Sequence, residues 1–185
     1  MGCRNFIYFD GTKQFVKPNS FKYLFTFLLA VYGIVLLRLI VFKGPADFLA
    51  AHLRHYGMAN IRQGYALANF IPGKTLYYYL SLREDFQTGL QNIGGNIVLF
   101  IPCGLLLPLV FPSLRTVRPL LLAVLSVSLL CESLQLLLAI GTFDVDDLML
   151  NLAGGWIGYL CLVVLTSFVG VAPVWRASGK ASRLR

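Results

Sequence analysis

The sequence predicts an all-α polytopic membrane protein with four transmembrane helices and one interfacial or re-entrant segment in the first loop. The chain of 185 residues is 57% hydrophobic and only 13% charged, with a mean hydropathy of +0.72, whereas soluble domains carry roughly 25% charged residues. Its long apolar runs have no polar face, as expected of helices that contact lipid. We therefore expect a single membrane domain over residues 1–185, with a core near 21–170 and basic tails, 1–20 and 171–185, on the cytoplasmic side.

Four apolar runs are long enough to cross a bilayer, which takes about 20 residues. Pro102 and Pro108 in the second run predict a bent or locally opened helix. Pro119 suits the first turn of the third helix. The predicted spans are residues 21–42, 93–111, 119–140 and 148–169.

Residues 43–92 form the one long loop between the predicted spans. Within it, residues 65–82 contain three consecutive tyrosines, Tyr77, Tyr78 and Tyr79, and are too polar to span. Tyrosine is enriched at the depth of the lipid headgroups, so this stretch predicts an interfacial helix or a re-entrant segment.

The distribution of Lys and Arg predicts that both termini are cytoplasmic. The two tails and the link that contains Arg115 and Arg118 hold more basic residues than the first loop and the acidic turn at residues 141–147. Such residues mark the cytoplasmic side. The net charge of +8 therefore indicates anchoring at an anionic leaflet, and we expect no nucleic-acid binding.

Polar and ionisable residues interrupt the apolar runs. An ionised group at membrane depth costs about 2.5–3.5 kcal/mol by insertion scales, so such residues usually mark a functional site. In the predicted topology they all lie in the outer half of the membrane, with Glu132 roughly 12 Å from the outer end of its helix. These residues are Arg38, Asn96, Glu132, Gln135, Asp144, Asp147 and Asn151.

Two sets of these residues recur at helical spacing and so share a helix face. The sets are Ser128, Glu132 and Gln135 on one helix, and Asp144, Asp147 and Asn151 on the next. Asp146 falls off the second face, and we expect it to be solvated. Asp144 could alternatively cap the following helix, since carboxylates suit helix N-termini.

Three interpretations of this polar set remain open from the residues alone. In the first, it lines an outward-facing pocket in which Glu132 and Asp147 form a candidate acid/base pair. In the second, it is a closed network that holds the helices together. In the third, Glu132 is the carrier site of a small ion- or proton-coupled transporter or channel subunit. A divalent ion held by Asp144, Asp147 and Glu132 is conceivable, but no His is in reach, and we predict neither a metal nor a cofactor.

Glycines mark close contacts between the predicted helices. Gly154 and Gly158 form a G-x-x-x-G motif, which predicts a close helix contact. Through this face the protein could form a homo-oligomer, or it could bind another membrane protein as a purely structural partner. We expect Gly94, Gly95 and Gly104 to serve in the same way.

Four motifs in this order resemble the VanZ-like family of small bacterial membrane proteins. Asn96 to Gly104 matches N-x-x-x-F-x-P-x-G, and Glu132 to Gln135 matches E-x-x-Q. Gly141 to Gly155 resembles the block G-x-x-D-x-x-D-x-x-x-N-x-x-G-G, and Asn69 to Pro72 is similar to a short N-x-x-P element. The resemblance covers residues 29–165. The turn at residues 141–143 lacks the arginine that many members carry, and Arg38 is the only nearby substitute.

The resemblance implies a compartment and a phenotype rather than a reaction. It implies the bacterial cytoplasmic membrane and low-level resistance to teicoplanin, a lipid-tailed glycopeptide that binds cell-wall precursors outside the membrane. We therefore expect the pocket to engage a membrane lipid or a lipid-linked or amphiphilic envelope molecule. Its predicted binding residues are Arg38, Asn69, Asn96, Gln135, Asp144 and Asn151, beside Glu132 and Asp147.

Overall fold

The computed structural model describes residues 18–41, 56–81 and 86–168, and within these ranges the regular secondary structure is helical, apart from one isolated bridge between Asn69 and Asp144. Residues 1–17 and 171–185 of the predicted basic tails and residues 43–55 and 82–85 of the first loop lie outside the described residues. The helices are α1 (Pro18–Val41), α2 (Met58–Ala66), α3 (Lys74–Leu80), α4 (Phe86–Val110), α5 (Val117–Leu137) and α6 (Val145–Phe168), with a 3-10 turn at Pro112–Leu114 before α5.

Four of these helices, α1, α4, α5 and α6, are long and apolar enough to cross a membrane. The prediction of an all-α protein with four candidate spans is therefore confirmed. Its boundaries were less accurate: α4 begins at Phe86, well before the predicted residue 93. Hydropathy locates the apolar stretch, whereas the helix itself continues through the polar residues Gln87, Thr88 and Asn92.

Glycines bring the backbones of α4 and α6 into direct contact. A Cβ atom at Gly154 or Gly158 would collide with the carbonyl oxygens of Ile97 and Ile101, and one at Gly104 with the carbonyl oxygen of Gly155. The predicted close helix contact is therefore formed, and it lies within the chain. Helix α4 lies on the Gly154/Gly158 face, and a homo-oligomer through that face stays a prediction.

Two of the glycines predicted to make close contacts do not make them. A Cβ atom at Gly94 or Gly95 would meet nothing within 4 Å. Both precede the point where α6 approaches α4, so no backbone lies against them. The prediction for these two positions was wrong, and it was right for Gly104.

The core lies between α4, α5 and α6, around Phe100, Leu120 and Val124, which are at most 1% exposed. Helix α1 packs on the outside of this group through Leu36, which is 4% exposed. The hydroxyl of Tyr32 donates to the carbonyl oxygen of Leu99 at 2.9 Å. Helix α1 is therefore the least embedded of the four long helices.

The non-spanning segment of the first loop is a hairpin of two short helices, α2 and α3. Gly64 of α2 lies against the end of α5, where a Cβ atom would be 3.3 Å from Leu136 Cδ1. Gly89 of α4 lies against α3, with a Cβ atom placed 3.2 Å from Tyr79 Cβ. The hydroxyl of Tyr56, before α2, donates to the carbonyl oxygen of Leu137. The hairpin thus covers one end of the bundle, the end at which α5 stops and α6 starts.

Candidate functional site

Asp146 fixes the α2–α3 hairpin to the first turn of α6. The residue is 0% exposed. Its Oδ1 accepts the backbone N–H of Gly73 at 2.5 Å, and its Oδ2 accepts those of Thr75 at 2.8 Å and Leu76 at 3.1 Å. These are the unpaired donors at the start of α3, so Asp146 caps that helix from a distant part of the chain. The expectation that Asp146 is solvated was wrong.

Asp144 and Asn69 complete this attachment. Asp144 Oδ1 accepts the N–H of Asp146 at 2.8 Å, which is an N-cap interaction at the start of α6. Asp144 Oδ2 accepts the hydroxyl of Thr75, and the Asn69 amide donates to both Thr75 and Asp144. The Asn69 backbone pairs with Phe143 and Val145 at 2.8 and 3.0 Å. We call Asn69, Thr75, Asp144 and Asp146 the hairpin cluster, and its polar groups are satisfied largely by one another.

Glu132 connects the hairpin cluster to the interior of the bundle. It lies in the last two turns of α5 and is only 3% exposed. Its Oε2 accepts the backbone N–H of Asp144 at 3.1 Å. Gln135, one turn further along, is buried against the turn, with its Cβ 3.4 Å from the position of a Cβ at Gly141.

Ser128 and Asn151 set the alignment of α5 and α6. The Asn151 amide donates to the Ser128 hydroxyl at 2.8 Å, and both residues are buried. The two helices are joined by a short turn and are antiparallel. Glu132 lies four residues after Ser128, and Asp147 lies four residues before Asn151. Residues four apart share a helix face, so Glu132 of α5 and Asp147 of α6 lie at the same level along the two helices.

Asn96 and Asp147 bring α4 into this arrangement. The Asn96 amide donates to Asp147 Oδ1 at 2.5 Å. Asn96 is roughly 15 Å along α4 from Phe86, at 1.5 Å per residue. We call Asn96, Ser128, Glu132, Asp147 and Asn151 the interhelical cluster.

The interhelical cluster contains one buried acceptor without a partner. Asn151 is 3% exposed, and among the described residues its Oδ1 has no hydrogen-bond donor. An unsatisfied buried polar group costs about 1–3 kcal/mol. No group of three or more His, Cys, Asp and Glu side chains in the described ranges is arranged to hold a metal ion.

The structure brings together most of the predicted site residues but separates one from them. Asn69 bonds to Asp144 in the hairpin cluster. Between the long helices, Asn96 bonds to Asp147 and Asn151 bonds to Ser128, while Glu132 accepts the backbone N–H of Asp144. Arg38 lies in the last turn of α1 with an exposed side chain. It is two positions after buried Leu36 and so faces away from the side of α1 that packs on the bundle.

Comparison with known proteins identifies the family of this chain. Residues 27–166 match the sequence model of VanZ/LLP1. The chain belongs to the VanZ/LLP1 family. Protein VanZ of Enterococcus faecium is 30% identical to it over 131 residues, which cover 71% of this chain and 68% of that protein. No solved structure gave a significant match.

The residues that carried the VanZ resemblance lie at the contacts described above. Gly104, Gly154 and Gly155 form the backbone contact between α4 and α6. Asn96 and Asn151 belong to the interhelical cluster, and the other aspartates and amides of the motifs lie in or beside the two clusters. Sequence reasoning missed Thr75 and misjudged Asp146. An aspartate at the start of α6 was a signal that Asp144 caps that helix. Nothing in the sequence indicated that Asp146 caps α3, which is distant in the chain.

Proposed function

We propose that this VanZ-family protein binds the polar part of a lipid-linked or amphiphilic cell-envelope molecule at the outer leaflet through the interhelical cluster. Binding lowers the effect of teicoplanin-type glycopeptides. The observation that carries the proposal is the Oδ1 of Asn151, which has no donor among the described residues and lies about one helical turn from the level of Glu132 and Asp147. A network with only a structural role gains nothing from a buried acceptor without a donor. A ligand with hydroxyl or amide hydrogens supplies that donor.

The division of the polar residues into two clusters supports a binding role for one of them. Asp144 and Asp146 accept hydrogen bonds that hold the hairpin and the start of α6, so their burial has a structural explanation. Asp147 lies instead between α4 and α6, and Glu132 lies at the same level on α5. Ionisable residues in that position are the expensive ones that usually serve a function.

The surface of the hairpin fits the apolar part of an amphiphile. The rings of Phe70 and Phe143 are stacked with centroids 5.4 Å apart, and Tyr65 lies 5.8 Å from Phe70. Phe70 and Ile71 are 54% and 63% exposed at the tip of the hairpin. This aromatic surface adjoins the acidic turn, so an amphiphile placed here has its polar part near carboxylates and its apolar part on aromatic rings.

The compartment follows from the predicted orientation. The distribution of Lys and Arg predicts that the Asp144 turn lies on the outer side, where a glycopeptide meets its target. The family supports the same phenotype, since VanZ-like proteins are linked to teicoplanin resistance. Both an enzymatic version, with Glu132 as general acid/base and Asp147 as its partner, and a purely binding version require this recognition step.

Substitution of the two carboxylates tests the proposal. Glu132→Gln and Asp147→Asn keep the side-chain shape but remove the charge. We expect each to lower teicoplanin resistance in a bacterial host and to weaken binding of a lipid-linked peptidoglycan precursor to the purified protein in nanodiscs by about tenfold, the effect of about 1.4 kcal/mol from a charged hydrogen bond.

Controls separate loss of binding from loss of folding. Membrane abundance and thermal melting of each variant should stay close to those of the parent protein. Glu84→Gln removes the carboxylate of a residue that is a member of neither cluster and should leave resistance intact. Full resistance and unchanged binding in both cluster variants would contradict the proposal and make the interhelical cluster a structural network.

A further inference from the structure

A second feature of the bundle lies on the exposed surface where α5 meets α6. A groove of about 600 Å³ runs between the two helices. Its walls are apolar, and one charged residue lies at its end. The lining residues include Arg118, Leu121 and Leu125 of α5, with Leu152, Ala153 and Trp156 of α6.

We propose that this groove binds an anionic phospholipid, with the phosphate on Arg118 and one acyl chain between α5 and α6. The volume falls within the range of small-molecule sites, about 300–1,000 Å³. The groove lies on two helices that are long and apolar enough to span the membrane, so lipid is the solvent that reaches it. Arg118 is exposed at its end, and a guanidinium recognises phosphate through paired hydrogen bonds.

The length and position of the groove fit a lipid that stands upright in one leaflet. From Arg118 to Leu125 α5 rises about 10 Å, at 1.5 Å per residue. Arg118 lies in the first turn of α5, in the link predicted to be cytoplasmic, and the cytoplasmic leaflet is the anionic one. Glu132 lies about 21 Å further along the same helix. Leu152 of the groove follows Asn151 in the chain, but Asn151 and Ser128 are buried between the helices, whereas the groove is open at the exposed surface.

Trp156 makes the occupant of the groove measurable. Its side chain lines the groove and is 49% exposed. The chain contains two tryptophans, so Trp175→Phe leaves Trp156 as the sole tryptophan. In vesicles that mix unlabelled lipid with brominated lipid, quenching of Trp156 reports the acyl chains in contact with it. We expect brominated phosphatidylglycerol to be preferred over brominated phosphatidylcholine by about fivefold, as one basic residue near an anionic surface provides.

Variants assign the preference to Arg118. Arg118→Gln should bring the preference close to one, whereas Arg118→Lys keeps the charge and should retain most of it. Lys22→Gln removes an exposed cation of α1 outside the groove and is the matched control, which should behave like the parent protein. Ala153→Leu fills the groove without changing charge and should reduce quenching by both lipids. Circular dichroism and gel filtration establish that each variant is folded.

Two results would overturn the proposal. Equal quenching by the two lipids in the parent protein would mean that the groove accepts any acyl chain. A preference that survives Arg118→Gln, or is lost equally in Lys22→Gln, would assign it to the overall positive charge of the protein. Neither result bears on the interhelical cluster, so the proposed function stands or fails separately.

Discussion

The amide of Asn151 donates to the hydroxyl of Ser128 at 2.8 Å, and this bond joins α6 to α5 at a buried position. It places Asp147 and Glu132 at one level. Glu132 lies four residues after Ser128, Asp147 lies four residues before Asn151, and the two helices run in opposite directions. A single hydrogen bond between two uncharged side chains thus sets the relative height of the two carboxylates proposed to act together.

A double-mutant cycle on Ser128→Ala and Asn151→Ala should reveal this link. Interhelical hydrogen bonds in membranes contribute about 0.6 kcal/mol on average and about 1.7 kcal/mol at most, so we expect a coupling free energy in that range. The measurement is the free energy of unfolding in mixed detergent micelles. Ser126→Ala combined with Asn151→Ala is the control, since Ser126 is exposed and bonds within its own helix to Leu122. Zero coupling for the Ser128 pair would contradict the assigned bond.

Asp146→Ala should detach the α2–α3 hairpin while leaving the long helices in place. The substitution removes the acceptor of three backbone N–H groups, and unsatisfied buried donors cost about 1–3 kcal/mol each. Trypsin cleavage after exposed Lys74 should accelerate by about fivefold or more, because proteolysis follows the population of the open state. Fragment masses identify the cut, and Lys74→Gln in the same background should abolish it. An unchanged rate would show that the hairpin is held by other contacts.

Gly104→Ala should destabilise the bundle, because its new methyl group meets the backbone of α6 at Gly155. Overpacking of this kind costs about 1–3 kcal/mol, which thermal melting in detergent detects. Gly95→Ala is the matched control on the same helix, since nothing lies within 4 Å of its Cβ position. We expect it to be neutral or slightly stabilising, since Ala favours helix over Gly. Equal melting temperatures for the two variants would refute the close contact.

Tyr32→Phe should loosen α1, which packs on the bundle through few buried residues. The change removes the hydrogen bond to the Leu99 carbonyl oxygen, worth about 0.5–1.5 kcal/mol. Tyr23→Phe, at a position 73% exposed, serves as the control. Hydrogen exchange of the α1 backbone amides should become faster in Tyr32→Phe only. Equally fast exchange in Tyr23→Phe would contradict a specific role of the Tyr32 hydrogen bond.

Composition and hydropathy were enough to predict the fold class and the four apolar helices. Helical spacing also predicted that Glu132 and Gln135 share the buried face of α5. These features depend on residues close in sequence, whose periodicity a single chain displays. The start of α4 escaped prediction because polar residues at its N-terminus extend the helix beyond the apolar run.

The role of Asp146 could not be predicted, because its partners are backbone groups of Gly73, Thr75 and Leu76. Backbone donors have no sequence signature, so a buried carboxylate that caps a distant helix looks like a solvated one. The contrast between Gly95 and Gly104 has the same origin. Which of two glycines meets another backbone depends on where two helices first approach each other, and this is a property of their register rather than of either sequence.

The glycine contact has a consequence for motion. A slide of α6 along α4 by one turn in either direction would press Leu150 against the Ile97 carbonyl oxygen or Leu162 against that of Ile101, where glycines now lie. The two helices therefore form the stationary half of the bundle. Under the proposed function, room for a headgroup beside Asn151 comes from displacement of α5 or of the hairpin, and the three hydrogen bonds to Asp146 oppose displacement of the hairpin.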